Sequence, residues 1–196
     1  MSARRRELKR PLGERRYKKL FVIGTEGVKT EPRYFALFNN RQSVIKVKCL
    51  RGKSESSPPQ VLRRMAEYLR QESLKKSDEA WLVVDKDQWS NEQLEQLLRW
   101  AQGSDNYGFA LSNPKFEYWL LLHFEDGEGI SSSRACLERL KRYLPNYDKD
   151  IDPGKITPGI IANAIQRAKQ RDNPPCTDWP RSIGSTVYRL VERILS

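Results

Sequence analysis

Short apolar runs alternate with amphipathic stretches through most of this chain, and that alternation limits it to a few architectures. LFVIG (20–24) precedes TEGVKTEPRYFALF, which reads as a turn and then a helix. VIKVKCL (44–50) precedes the polar loop RGKSESSPP and then PQVLRRMAEYLRQESLKK, where Val61, Leu62, Met65 and Leu69 recur at helical spacing. AWLVVD (80–85) precedes SNEQLEQLLRWAQ, and YGFALS (107–112) precedes NPKFEYWLLLHF, a short helix or a tight strand-to-helix transition. The paired valines of AWLVVD suit a buried parallel strand. A strand–helix order repeated in this way predicts an α/β fold with a mainly parallel central sheet and helices on both faces.

Local signals agree with this order. Thr30 is a plausible N-cap with Glu31 at the first helical position, and Pro32 is tolerated in the first turn. Pro58 and Pro59 suit a helix start, and Ser90 with Gln93 forms a capping-box pattern. Roughly the last seventy residues read as helical: SSSRACLERLKRYL, TPGIIANAIQRAKQR and GSTVYRLVERIL, separated by the loops NYDKDIDPGK and DNPPCTDWPRS. These helices are expected to cover the sheet rather than form a second domain. The predicted organisation is a basic arm over 1–19 and one domain over 20–196.

The charge is uneven. The net charge is +11, and the first nineteen residues hold nine Arg or Lys against Glu7 and Glu14. Such a segment attracts polyanions through long-range electrostatics and counterion release; the alternative is a solubilising arm. Cys49, Cys136 and Cys176 form no metal knuckle or disulfide framework, so free thiols and a cytoplasmic location are expected. No run of eighteen apolar residues is present, so no membrane span is expected. The Arg-rich start lacks the apolar run of a secretory signal.

Acidic residues recur at the ends of the apolar runs. Glu26 follows KLFVIG, Asp85 and Asp87 follow AWLVV, and Glu117 lies in SNPKFEYWLLLHF. Open parallel sheets bind ligands beyond the carboxyl ends of their strands. Asp85 and Asp87, two apart in an extended segment, point the same way. Such oxygen ligands suit Mg²⁺, and a cation there polarises a phosphoryl oxygen and activates water. The plainer reading is polar residues closing strands. A Glu in so apolar a segment is rarely buried without a partner, so Glu117 faces a metal, pairs with a nearby base or lies on an exposed stripe. Glu31 is a further candidate ligand. Lys86 and Lys29 are candidates for phosphate contact, with solvent exposure and helix capping as the plainer readings. GTEGVKT is neither a dinucleotide loop nor a phosphate loop.

His123 is the sole histidine, so a multi-histidine zinc site is excluded; its setting in LLLHF fits a packed imidazole better than a base. Trp81 and Trp119 are expected in the core. Trp89, Trp100 and Trp179 remain open to stacking on bases.

FVIGTEGVKTEPRYFALF, AWLVVDKDQW, FALSNPKFEYWLLLHFE and the closing STVYRLVERIL together resemble the RloB-like family, from about residue 18 to the C-terminus. That resemblance implies a variant of the Toprim fold, in which a Glu after the first strand and a DxD after a later one bind Mg²⁺ or Mn²⁺. Glu26 matches the first acid, and Asp85 and Asp87 match the DxD. Many Toprim proteins carry a third acid two residues later, where this chain has Trp89; Glu117 of the NPKFE segment is a replacement candidate. The resemblance also implies a phage-defence setting and an ATPase partner protein.

The leading expectation is therefore a divalent-metal-dependent nuclease acting on DNA or RNA. Glu26, Asp85 and Asp87 are the expected metal ligands. Glu117 and Glu31 are expected as supporting ligands or as a proton-transfer group. Arg4, Arg5, Arg6, Arg15, Arg16, Lys18 and Lys19 are expected to hold the phosphate backbone without reading sequence. The alternatives are a non-catalytic nucleic-acid-binding or regulatory subunit of a defence complex, and a nucleotidyl-transferring Toprim enzyme.

Overall fold

The computed structural model describes residues 18–39, 44–52, 54, 56–87, 89–148 and 151–196. Of the expected basic arm, only Lys18 and Lys19 fall within that range; Arg4, Arg5, Arg6, Arg15 and Arg16 lie outside the described residues. The elements run β1 (Lys19–Thr25), α1 (Thr30–Ala36), β2 (Ile45–Leu50), α2 (Pro58–Gln71), β3 (Glu79–Asp85), α3 (Asn91–Ala101) and β4 (Tyr107–Asn113). They continue with α4 (Phe116–Leu121), α5 (Ser133–Tyr143), a 3₁₀ turn (Pro153–Lys155), α6 (Pro158–Arg171), β5 (Gly184–Ser185) and α7 (Val187–Leu195).

The sheet order is β2-β1-β3-β4-β5. The first four strands are parallel, and β5 pairs antiparallel with β4 through Ser112–Ser185 and Asn113–Gly184. The strand order reverses between β1 and β3, which makes their carboxyl ends the switch point where open α/β sheets bind ligands. The α/β expectation holds, and the architecture is Toprim-like: a mostly parallel sheet between helices, with a helical C-terminal region.

Strand alternation sorts the core onto two faces. Phe21, Ile23, Trp81, Val83 and Ala110 point toward the side covered by α1, α4, α5, α6 and α7. Leu20, Val22, Ala80, Leu82, Val84, Phe109 and Leu111 point toward α2 and α3. Both faces of the central strands are dry, which explains why their sequences read as continuous apolar runs. Gly108 is needed for this packing: a Cβ there would lie 2.4 Å from the Trp81 ring.

Several local expectations shift by a residue or a turn. The N-cap of α1 is Lys29, so Thr30 is the first helical residue. α2 stops at Gln71 rather than continuing through 76; the segment after it turns so that Asp78 can accept from the backbone N–H groups of Leu20 and Lys75. The Ser90 capping box is present, with Gln93 Oε1 accepting from Ser90 N at 3.0 Å. GSTVYRLVERIL is not helical throughout. Gly184 and Ser185 form β5, and Thr186 exchanges hydrogen bonds with Leu111, so this segment is stitched to β4 before α7 begins. Two residues are too short a strand for period-two patterning to reveal.

Candidate active site

The site begins with an aromatic packing that fixes two short helices against each other. Tyr34 of α1 is fully buried and meets Phe116 and Trp119 of α4 edge-on, at ring separations of 5.6 and 6.1 Å. Its hydroxyl lies 3.2 Å from His123 Nε2, and His123 Nδ1 lies 3.0 Å from the Trp119 carbonyl. With Nδ1–H donating to that carbonyl, Nε2 accepts from Tyr34. Burial pushes the His123 pKa down to about 4. His123 is therefore the packed, neutral imidazole that its sequence setting suggested. Glu31 stands one turn before Tyr34 on α1, and Glu117 lies between Phe116 and Trp119 in the first turn of α4. The aromatic contacts thus bring the two acids to the lining of one cleft.

The strands supply the rest. Glu26 follows β1 and its N–H bonds to the Val83 carbonyl of β3 at 3.2 Å, so it sits beside Asp85 at the end of β3. Beyond Asp85 the chain turns at once. Lys86 N donates to Ser112 O, and Asp87 N to Pro114 O at 3.1 Å. Asp87 has φ +26°, the one non-glycine residue with positive φ among those described. Aspartate tolerates this region better than most residues. Asp85 and Asp87 therefore reach the same cleft through a turn, not through the extended alternation expected from their spacing.

Glu26, Glu31, Asp85, Asp87 and Glu117 all line one cleft of about 110 Å³, together with Lys29 and Lys115. They are not gathered into a preformed cage: among the described residues, no group of three His, Cys, Asp or Glu side chains has metal-holding geometry. Their present partners explain this. Glu26 accepts from Trp89 Nε1 at 2.9 Å and from Asp85 N at 3.1 Å. Glu31 accepts from Gly27 N at 2.8 Å, and Gly27 is close enough that a Cβ would lie 2.1 Å from the Glu31 carboxylate. Glu117 accepts from the Tyr147 hydroxyl at 2.9 Å, and Asp87 lies 3.3 Å from the Lys115 ammonium.

Crowding shapes the electrostatics. Burial pushes the Glu26 pKa up to about 7; hydrogen bonds from Asp85 N and Trp89 oppose this, while Glu31 and Asp87 add to it. Asp85 is raised well above the usual carboxylate range, first by burial and then by Glu31, Glu26 and Glu117, with Lys115 opposing. Burial works against the charged form of Lys115, but Asp87, Asp85 and Glu117 outweigh it and hold the ammonium charged. An all-oxygen donor set of this kind fits a hard divalent cation, and a cation is what relieves carboxylates that raise one another's pKa. By chemistry, then, the residues fit Mg²⁺ or Mn²⁺.

The basic candidates separate. Lys29 lines the cleft and is exposed. Lys86 stands beside it, its ammonium donating to the Trp89 carbonyl at 2.6 Å. Lys18 and Lys19 lie at the other end of β1, where Lys19 pairs with Glu79 at 2.9 Å. Trp179 is only 1% exposed and packs edge-on against Phe109, so its ring belongs to the core rather than to base stacking. Trp100 stacks on Tyr107 at 4.4 Å. Sequence reasoning did not single out Lys115 or Tyr147. Lys115 stands two residues before Glu117 in NPKFE, a signal open to view; Tyr147 lies in a polar loop and carries none.

Among the described residues no helix is long and apolar enough to cross a membrane. No curated protein and no solved structure matches the chain significantly. The family model described as RloB-like protein matches residues 21–194, a span that holds every residue lining the acid cleft; the chain belongs to the RloB-like family.

Proposed function

We propose that this protein is a divalent-cation-dependent nuclease that hydrolyses phosphodiester bonds of DNA or RNA in a phage-defence setting. One observation carries the reading: five carboxylates from the ends of β1 and β3 and from α1 and α4 line a single cleft at the switch point, where burial, with Glu31 and Asp87 adding to it, holds Glu26 at about 7. Structural ion pairs leave acids with lowered pKa values; a like-charge cluster in a cleft is a functional signature.

Glu26, Asp85 and Asp87 would hold Mg²⁺ or Mn²⁺, with Glu31 and Glu117 on the flanking helices as supporting ligands or proton acceptors. When bound, the cation supplies Lewis-acid polarisation of a phosphoryl oxygen and eases ionisation of water. The chain's own groups do the rest. Lys115, charged at the mouth of the cleft, binds a non-bridging phosphate oxygen and offsets charge that builds on it during attack. A cleft carboxylate accepts the proton of the attacking water. Trp89 and Tyr147 hold Glu26 and Glu117 in place through their hydrogen bonds. Lys29, which lines the cleft, and Lys86, next to Asp85 and Asp87 in the chain, would offer affinity for a phosphate backbone without sequence selection. An ATPase partner belongs to this proposal as the component that delivers substrate.

The test is cleavage of labelled single- and double-stranded DNA and RNA with Mg²⁺, Mn²⁺ or EDTA, with and without an ATPase partner protein. Metal-dependent cutting lost in Asp85→Asn and Glu26→Gln is expected. Cutting unchanged in both variants would remove the proposed site, and binding without cutting under every condition would favour a non-catalytic binding subunit.

A further inference from the structure

The acid cleft is too small for a whole nucleotide. Its volume of about 110 Å³ accommodates a cation and phosphoryl oxygens, whereas ligand pockets for molecules of nucleoside size run from about 300 Å³ upward. The nucleoside parts of a substrate must therefore sit elsewhere. On the flank of α1 lies a second cavity of about 650 Å³, between that helix and residues 144–147 and 151–155. Its floor is apolar, with Leu144 and Ile151 both buried. Arg33 and Lys155 stand on its walls.

The two spaces share a wall. Tyr147 lines the large cavity. Its hydroxyl reaches through to the acid cleft, 2.9 Å from Glu117 Oε1 and 3.3 Å from Thr30 Oγ1. Thr30 and Glu31 line the cleft from the first turn of α1, and Arg33 lines the cavity from the next. One helical turn advances about 5.4 Å, comparable to the reach from a phosphate to its own sugar and base.

We propose that this cavity is a base-binding subsite that holds the nucleoside next to the scissile phosphate. The apolar floor takes the flat face of the base, and Arg33 and Lys155 attract the flanking phosphate. Tyr147 is the partition that links an occupied subsite to the position of Glu117. The proposal deepens the nuclease reading and rests on it for the identity of the substrate, but its binding step needs neither a cation nor turnover.

The test is binding of AMP, UMP and dTMP to the full chain in EDTA, followed by calorimetry and by saturation-transfer NMR, against ribose 5-phosphate and inorganic phosphate. At least one nucleotide is expected to bind at least tenfold tighter than ribose 5-phosphate, with base protons receiving saturation from the protein. Ala36→Trp places an indole in the cavity from an exposed helical position and is expected to weaken that binding tenfold or more. Asp85→Asn is expected to leave it intact. Intermolecular NOEs from base protons to the Leu144 and Ile151 methyl groups locate the ligand in the parent protein should Ala36→Trp not fold. Equal affinity for ribose 5-phosphate and nucleotides, or NOEs to any other surface, would overturn the proposal. A chain that binds nucleotides here but cuts nothing would instead overturn the nuclease reading alone.

Discussion

Strand β3 carries a buried acid at its amino end and a half-buried one at its carboxyl end, and the two are treated in opposite ways. At its amino end Glu79 is 3% exposed, yet Arg193 and Lys19 approach it at 2.7 and 2.9 Å and Trp81 Nε1 donates to it at 2.9 Å. Burial pushes its pKa up, but these partners outweigh burial and hold it below the ordinary value. At its carboxyl end Asp85 meets Glu31, Glu26 and Glu117, with Lys115 as the opposing charge, and its pKa is raised. The same strand thus has a neutralised end and a frustrated one. The neutralised end makes sense as a structural lock between β1, β3 and α7. The frustrated end costs stability in the absence of a compensating charge, and a fold retains such a cost where function uses it.

Four experiments sharpen that contrast. The largest effect is expected from Asp85→Asn, which should lower cleavage about 10³-fold while leaving the thermal midpoint equal to or above that of the parent, since a raised-pKa acid is removed. Glu79→Gln should do the reverse, sparing activity and lowering the midpoint. Assays of rate and melting on both variants read this out, and a fall in activity at Glu79 to match Asp85 would break the comparison.

The next effect is on the pH dependence of stability. The folded pKa of Glu26, about 7, lies above its ordinary value of 4.5. Its contribution is therefore fully present below pH 4.5 and is lost as pH rises through 7, a change of about 3 kcal/mol at 1.36 kcal/mol per unit. His123, held down to about 4, titrates in the opposite sense. The quantity to measure is thus the difference in urea stability between Glu26→Gln and its parent from pH 4 to 8. That difference should grow in favour of the variant between pH 4.5 and 7, and Mn²⁺ should reverse it by stabilising the parent alone. A flat difference would count against a Glu26 pKa raised by burial and its acidic neighbours.

Glu79→Gln itself should cost about 1–3 kcal/mol by weakening charge-assisted hydrogen bonds. The low end is expected because the Arg193 side chain is 55% exposed and can turn to water. The smallest effect concerns Trp89. Its indole N–H lowers the Glu26 pKa, so Trp89→Phe should cost about tenfold in rate, as outer-shell partners of metal ligands do, and move the acidic limb of the pH–rate profile upward. A profile that keeps its midpoint would reduce Trp89 to packing.

Much of this contrast was legible in the sequence, unevenly. The strand–helix order, both faces of β3 and the capping of α3 follow from periodicity and from Ser90 and Gln93. Glu26, Asp85 and Asp87 are recognisable at strand ends and Glu117 as an acid inside an apolar run, which are local signals, whereas Glu31 is a candidate only through its nearness to Glu26 in the chain. The partners of these acids were not recognisable. Lys19 reads as one more basic-arm residue, but its ammonium rests on Glu79, a contact made only when β1 and β3 pair. Trp89 was open to base stacking, but the turn at Asp87 aims its indole at Glu26. Tyr147 lies thirty residues beyond Glu117 in a polar loop and meets it only through tertiary packing. Side-chain partners across long sequence separations leave no periodic trace, so the acids were readable and their electrostatic fates were not.

The most direct measurement is Mn²⁺ binding, followed by EPR at pH 7.5, to the parent protein, Asp85→Asn and Glu79→Gln. The account expects binding in the parent and in Glu79→Gln, with Asp85→Asn weakened at least tenfold and all three proteins folded. No saturable binding in the parent, or equal binding in Asp85→Asn, would contradict the claim that the carboxyl end of the sheet is built for a cation.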